Sequence, residues 1–210
     1  MRTAGIYGFY PVVDDVRWVR RWLPLGVRTI QLRIKEQAVP EVRRQIREAL
    51  VMAADYENCQ LIINDYWQEA IMQGAHWLHL GQEDLAGADR AAIRAAGIKL
   101  GISTHSSEER VNALAAQPDY VALGPIYETT LKKMPWSPQG LDRISAWKAC
   151  CEVPLVAIGG ITLERAPAVL AAGADAIAVV SDVCNAPHPD DRVRAWLDCF
   201  REAAAQPQVE

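Results

Sequence analysis

A closed parallel (β/α)8 barrel is the fold class this sequence predicts, and three observations carry the prediction. Short β-branched or apolar runs alternate with amphipathic helical stretches along the whole chain. That alternation repeats eight times within 210 residues, which suits a compact closed barrel better than an open doubly wound sheet. No G-x-G-x-x-G follows the first strand-like run, so the dinucleotide-binding alternative lacks its signature.

Taken in order, the candidate strands span 5–13, 29–34, 60–65, 77–81, 99–104, 120–126, 154–160 and 176–181. Between the second and third, Val39, Val42, Ile46, Ala49, Leu50 and Ala53 recur at helical spacing. Gly97 and Gly173 follow alanine-rich helical runs and read as glycines just past a helix end. Ser106-Ser107-Glu108-Glu109 reads as a capping box for the fifth helix, which leaves Ser103 free for other work. Trp18, Trp22, Trp147 and Trp196 lie in helical patterns and are expected as core contacts. Residues 1–210 read as one domain of the TIM-barrel class, with 204–210 an Ala/Gln/Pro-rich tail expected to fray.

Composition narrows the functional class. With 50% hydrophobic and 23% charged residues the chain has enough apolar material for one sizeable core. A net charge of -4, without a basic tract, argues against nucleic-acid and membrane-surface partners. Cys59, Cys150, Cys151, Cys184 and Cys199 are odd in number and form no C-x-x-C, so they read as reduced thiols. With no signal segment or membrane-spanning run at its start, the chain is expected to be cytoplasmic.

The chemistry is expected at the C-terminal ends of the strands, where barrels of this kind carry their sites. In Gln31-Leu32-Arg33-Ile34-Lys35 the alternation puts Ile30, Leu32 and Ile34 on one face and Gln31, Arg33 and Lys35 on the other. Two cations turned into a barrel, each costing several kcal/mol if unpaired, call for an anion. A phosphorylated substrate is the expected one. Asn64-Asp65 and Gln82-Glu83-Asp84 follow the third and fourth strands, and neighbouring strands lie about 4.8 Å apart. Asp65 and Asp84 are therefore expected to approach one Mg2+, which takes one or two carboxylates and completes its shell with water and phosphate oxygens. The competing use of either aspartate is as a helix cap.

Ser103 and Thr104 offer small hydroxyl donors at the end of the fifth strand, and His105 stands in the turn that follows. The sixth strand leads into a long connection containing Lys132 and Lys133, the kind of loop that lies over a barrel mouth. Gly159-Gly160 and Val180-Ser181, at the ends of strands seven and eight, suit a phosphate cradle of backbone amides. Two anion sites around one mouth imply two phosphorylated small-molecule substrates and a transferase that joins them with loss of diphosphate. His79 alternates with Trp77 and reads as a satisfied interior histidine; His76 and His188 read as surface residues.

With these residues assembled, the chain resembles the thiamine-phosphate synthase family along nearly its whole length. The resemblance rests on QLRIK at 31–35, IND at 63–65, HLGQEDL at 79–85, GISTHS at 101–106, GPIY…T…KKMP at 124–135, AIGGI at 157–161 and AVVS at 178–181. It implies condensation of 4-amino-5-hydroxymethyl-2-methylpyrimidine diphosphate with 4-methyl-5-(2-phosphoethyl)thiazole, giving thiamine monophosphate and pyrophosphate with magnesium. Carried over by motif, Gln31, Arg33, Lys35, Asn64, Ser103 and Lys132 would hold the diphosphate substrate. Asp65 and Asp84 would hold the metal, and Thr129, Gly159 or Gly160, Val180 and Ser181 would surround the thiazole phosphate. Arg33, Lys35, Ser103 and Lys132 would stabilise the departing charge. The family's P-T-x-T-K run is altered here: Leu131 takes the second threonine's place and carries no donor, leaving Thr130 as the neighbouring hydroxyl. Two other readings stand beside this one, a thiazole-tautomerase-like isomerase and a non-catalytic phosphometabolite sensor.

Overall fold

The computed structural model describes residues 5–129 and 136–205. Eight strands close into one barrel in chain order: β1 (Gly8–Val13), β2 (Thr29–Leu32), β3 (Gln60–Asn64), β4 (Trp77–Leu80), β5 (Lys99–Thr104), β6 (Tyr120–Leu123), β7 (Leu155–Ile158) and β8 (Ala176–Val179). Every adjacent pair is parallel, including β1 with β8. Helices α1 (Val16–Trp22), α2 (Val39–Ala54) and α3 (Trp67–Met72) follow the first three strands in turn. After β4 come α4 (Gln82–Gly87) and α5 (Arg90–Ala95), and after the next three strands α6 (Ser107–Ala115), α7 (Gly140–Lys148) and α8 (Ala166–Ala171). The short α9 (Ser181–Cys184) and the long α10 (Pro189–Ala205) follow β8. Among the described residues no helix is long and apolar enough to cross a membrane.

The strands are shorter than the runs read from the sequence, and the trimmed residues are informative. Residues 33–35, 65, 81, 124–126, 159–160 and 180–181 lie past the ladder, at its C-terminal end. Several stay tethered by single bonds, such as Arg33 N to Val13 O at 2.7 Å and Asp65 N to His79 O at 2.9 Å. These extensions build the mouth of the barrel.

Local chemistry sets the helix ends. Asp15 and Asp89 cap α1 and α5 by accepting backbone N–H groups. Ser106 caps α6 by accepting from Glu109 N at 3.1 Å, the expected half of the capping box. The other half is shifted: the Glu109 carboxylate accepts from His105 N at 2.7 Å, one residue before the cap. In α2, Val42, Ile46 and Ala49 face the core, whereas Val39 at its first turn is exposed.

Two apolar layers result. Outside the sheet, Ile30, Leu32 and Ile34 pack with helix residues that include the buried Trp22, Trp147 and Trp196; Trp18 is only partly covered. Inside the barrel, Tyr10, Val12, Ile62, Trp77, Tyr120 and Val156 fill the axis. Gly101 makes room there, since a Cβ at that position would lie 2.0 Å from Tyr120 Cζ.

Candidate active site

The alternation of 30–35 is kept, but its two ends meet different surroundings. Gln31 points into the barrel, where its amide Nε2 donates to Tyr10 OH at 2.6 Å. Arg33 and Lys35 lie beyond β2 and are exposed at the mouth. The expectation of two buried, unpaired cations therefore fails on burial for both residues and on pairing for Lys35. Because the strand ends at Leu32, these side chains keep water around them, and the Lys35 ammonium pairs with Asp65. Arg33 forms no ion pair among the described residues, yet its charge is felt at the buried His79 ring.

Asp65 and Asp84 come together as the strand spacing predicts. Asp65 adopts φ 66°, a left-handed conformation that aspartate tolerates better than most residues. Neither aspartate is an N-cap: Tyr66 precedes α3, Gly81 precedes α4, and neither helix has a side-chain cap. Burial, and then the neighbouring Asp65 charge and hydrogen bond, raise the Asp84 carboxyl above its ordinary range, while Lys35 acts in the opposite direction. Two carboxylates in contact, opposed by one partly exposed ammonium, leave an excess of negative charge. Among the described residues no group of three or more His, Cys, Asp or Glu side chains is arranged to hold a metal. The donor set is thus two hard oxygens from Asp65 and Asp84, which fits magnesium and does not fit a zinc cage.

Below the mouth lies a polar thread inside the apolar barrel. Tyr10 OH and Tyr120 OH are 2.9 Å apart, His79 Nδ1 and Tyr120 OH 2.8 Å, and His79 Nε2 and Ser103 Oγ 2.8 Å. His79 is thus a satisfied interior histidine, as its alternation with Trp77 suggests. Ser103 sits half-buried at the top, its carbonyl accepting from Gln82 Nε2 at 2.7 Å. Asn64, paired in register with His79, is buried, and its Nδ2 donor has no hydrogen-bond partner among the described residues. A buried donor left unpaired costs about 1–3 kcal/mol, so this amide suits an incoming acceptor.

Burial brings the His79 pKa down to about 4, against an ordinary value of 6.5. Between those two values the unfolded chain binds a proton that the folded chain refuses. Stability is therefore expected to be full above about pH 6.5 and to fall by up to about 3 kcal/mol as pH drops to about 4. Urea unfolding across that range checks this, and His79→Gln should remove that share of the slope.

On the opposite side, Gly159 (φ 99°) and Gly160 (φ 64°) follow β7 in conformations that favour glycine. A Cβ on Gly160 would lie 2.3 Å from Glu128 O, so the loops after β6 and β7 touch. Val180 immediately precedes α9 and Ser181 is its first residue. Arg192 of α10 fastens this half of the mouth: it forks onto Asp182 of α9 at 2.8 and 3.0 Å and onto Glu164 after β7 at 2.9 and 3.0 Å. Trp196 Nε1 also donates to Asp182, at 2.6 Å. Thr129 is half-buried at the start of the long loop, while Thr130, Leu131 and Lys132 lie outside the described residues.

The family model described as thiamine monophosphate synthase matches residues 9–183. The chain belongs to the thiamine monophosphate synthase family. It is 56% identical over 190 residues to the thiamine-phosphate synthase of Rhizobium etli, covering 90% of this chain and 93% of that one. To the thiamine-phosphate synthase of Cronobacter sakazakii it is 52% identical over 181 residues, with 86% of each chain covered. Among solved structures, the thiamine phosphate pyrophosphorylase from Pyrococcus furiosus superposes with a TM-score of 0.82 at 27% identity, covering 93% of this chain and 96% of that chain.

For this member of the thiamine monophosphate synthase family, the site contains residues that the sequence did not single out. Tyr10 and Tyr120 read as ordinary strand residues, and only the inward register of β1 and β6 marks them. Gln82 is visible as a polar residue after β4, but its spacing assigns it no role. Arg192 carried no signal, because its partners are remote in sequence.

Proposed function

We propose that this chain condenses 4-amino-5-hydroxymethyl-2-methylpyrimidine diphosphate with 4-methyl-5-(2-phosphoethyl)thiazole, forming thiamine monophosphate and releasing pyrophosphate. The observation that carries the reading is the meeting of Asp65, Asp84 and Lys35 at the mouth, beside the exposed Arg33. In the reaction the methylene carbon–oxygen bond breaks, the bonding pair leaves with pyrophosphate, and the thiazole nitrogen lone pair forms the new carbon–nitrogen bond. That lone pair is already available, so no general base is required. The protein's share is to orient two substrates and to stabilise the charge of the leaving group.

Arg33 and Lys35 supply positive charge to the diphosphate, together with Lys132 from the long loop. Ser103 and the unpartnered Asn64 amide supply hydrogen-bond donors, and Gln31 contacts the same substrate from the barrel wall. Asp65 and Asp84 would hold magnesium, which when bound neutralises diphosphate charge and acts as a Lewis acid. Thr129, Thr130 and the backbone around Leu131, Gly159, Gly160, Val180 and Ser181 receive the thiazole phosphate. The touching carboxylates favour this reading over a one-substrate isomerase, which has no use for a carboxylate pair that holds a metal for a diphosphate, and over a sensor without turnover.

Incubating the protein with both substrates and Mg2+ should yield thiamine monophosphate and pyrophosphate in equal amounts by mass spectrometry, and EDTA should suppress both. Consumption of the thiazole phosphate alone would point to the isomerase. A second variant addresses the phosphate half of the mouth. Arg192→Lys keeps the charge but loses the fork, and should raise KM for the thiazole phosphate about tenfold with little change for the diphosphate. Equal changes in both constants would show that the brace acts on the whole barrel.

A further inference from the structure

The polar thread along the barrel axis takes its direction from the Gln31 amide, whose Nε2 donates to Tyr10 OH at 2.6 Å, and the remaining donors follow by counting protons. Tyr10 and Tyr120 are only 1% and 0% exposed, and each hydroxyl carries one hydrogen. Tyr10 oxygen receives the Gln31 amide, and its other hydrogen-bond partner among the described residues is Tyr120. A buried hydroxyl hydrogen with no acceptor costs about 1–3 kcal/mol, so the Tyr10 hydrogen goes to Tyr120 oxygen. Among the described residues the Tyr120 hydrogen then has only His79 Nδ1 to go to. An imidazole that accepts at Nδ1 carries its hydrogen on Nε2, and that nitrogen faces Ser103 Oγ. Ser103 is thereby the acceptor of this last bond.

We infer that Gln31, Tyr10, Tyr120 and His79 form a one-way hydrogen-bond relay that makes Ser103 accept from below and so keeps its own hydroxyl hydrogen for the leaving diphosphate at the mouth. The inference deepens the proposed function and rests on it for the identity of the group Ser103 meets. In the reverse arrangement every donor would turn round, and Ser103 would spend its hydrogen on His79. Tyr10, Tyr120 and His79 are positioning residues, since they act through Ser103. Their seating is firm: the His79 and Tyr120 rings stack with centroids 5.6 Å apart, and Trp77 lies 6.2 Å from Tyr120. The Gln82 bond to the Ser103 carbonyl holds the strand end from outside the thread. Each hydrogen bond in a chain polarises the next, so an upstream change reaches Ser103 without touching substrate.

The direct test reads the tautomer of His79 itself. Long-range 1H–15N correlation spectra of the 15N-histidine-labelled protein at neutral pH should give one ring with a protonated Nε2 and an accepting Nδ1, assigned to His79 by its loss in His79→Gln. A protonated Nδ1 with an accepting Nε2 overturns the relay. The kinetic test is a double-mutant cycle, with Tyr120→Phe keeping the ring and removing only the hydroxyl. Tyr120→Phe should lower kcat about tenfold with KM for the diphosphate substrate nearly unchanged, and should cost nothing further in a Ser103→Ala background. Losses that multiply would show that Tyr120 does not act through Ser103, and unchanged turnover in Ser103→Ala would remove the relay's purpose; either overturns the inference. Absence of thiamine monophosphate from the wild-type product assay would instead strike the proposed reaction, while the histidine spectra would still report the direction of the thread.

Discussion

Asparagine at position 65 is expected to slow pyrophosphate release by about 100- to 1,000-fold while the barrel stays folded. The side chain has two jobs at the mouth: it pairs with Lys35 and it shares the space of Asp84. Removing its charge leaves Lys35 without its protein partner and reduces the two-carboxylate donor set to one. Asparagine is the better replacement than alanine because residue 65 sits at φ 66°, where asparagine is tolerated and alanine is strained by about 1–2 kcal/mol. A continuous pyrophosphate assay, alongside thermal unfolding, separates lost chemistry from lost structure. Wild-type turnover in Asp65→Asn would remove these carboxylates from the mechanism.

Gly101→Ala should have the largest effect on the barrel itself. The added Cβ would lie 2.0 Å from Tyr120 Cζ and 2.4 Å from its hydroxyl oxygen, with the Tyr120 side chain wholly enclosed. The ring cannot retreat without displacing its Tyr10 and His79 partners. Overpacking of this sort is expected to cost about 3 kcal/mol and to disconnect Ser103 from the thread beneath it. A lower urea midpoint together with a fall in kcat is the expected result. An unchanged midpoint would mean that Tyr120 has room the structure does not give it.

The fold was legible because its signal is repetitive: apolar runs and amphipathic helices recur, and closure of β1 on β8 is the compact way to end such a series. The ends of the strands were less legible. Ile34 stays on the outer apolar layer although β2 stops at Leu32, so hydropathy continues past the ladder and cannot mark where it ends. For the site, adjacency of strands three and four was enough to bring Asp65 and Asp84 together on paper. The Lys35–Asp65 pair was not readable, because it joins the segments after β2 and β3, thirty residues apart in sequence. Tyr10, His79 and Tyr120 are each unremarkable in their own strands, and only barrel closure lets their polar tips meet. The Arg192 brace likewise joins α10 to segments after β7 and β8 that are remote in sequence.

Magnesium-dependent holding of a diphosphate at this mouth is best tested by calorimetric titration of inorganic pyrophosphate into the protein. The titration is run with Mg2+, with EDTA, and with Mg2+ in Asp84→Asn. Binding should be clear in the first and weaker by about tenfold or more in the other two, a loss of roughly 1.4 kcal/mol. Equal affinity in all three would contradict a site in which Asp65 and Asp84 recruit the metal for the leaving group.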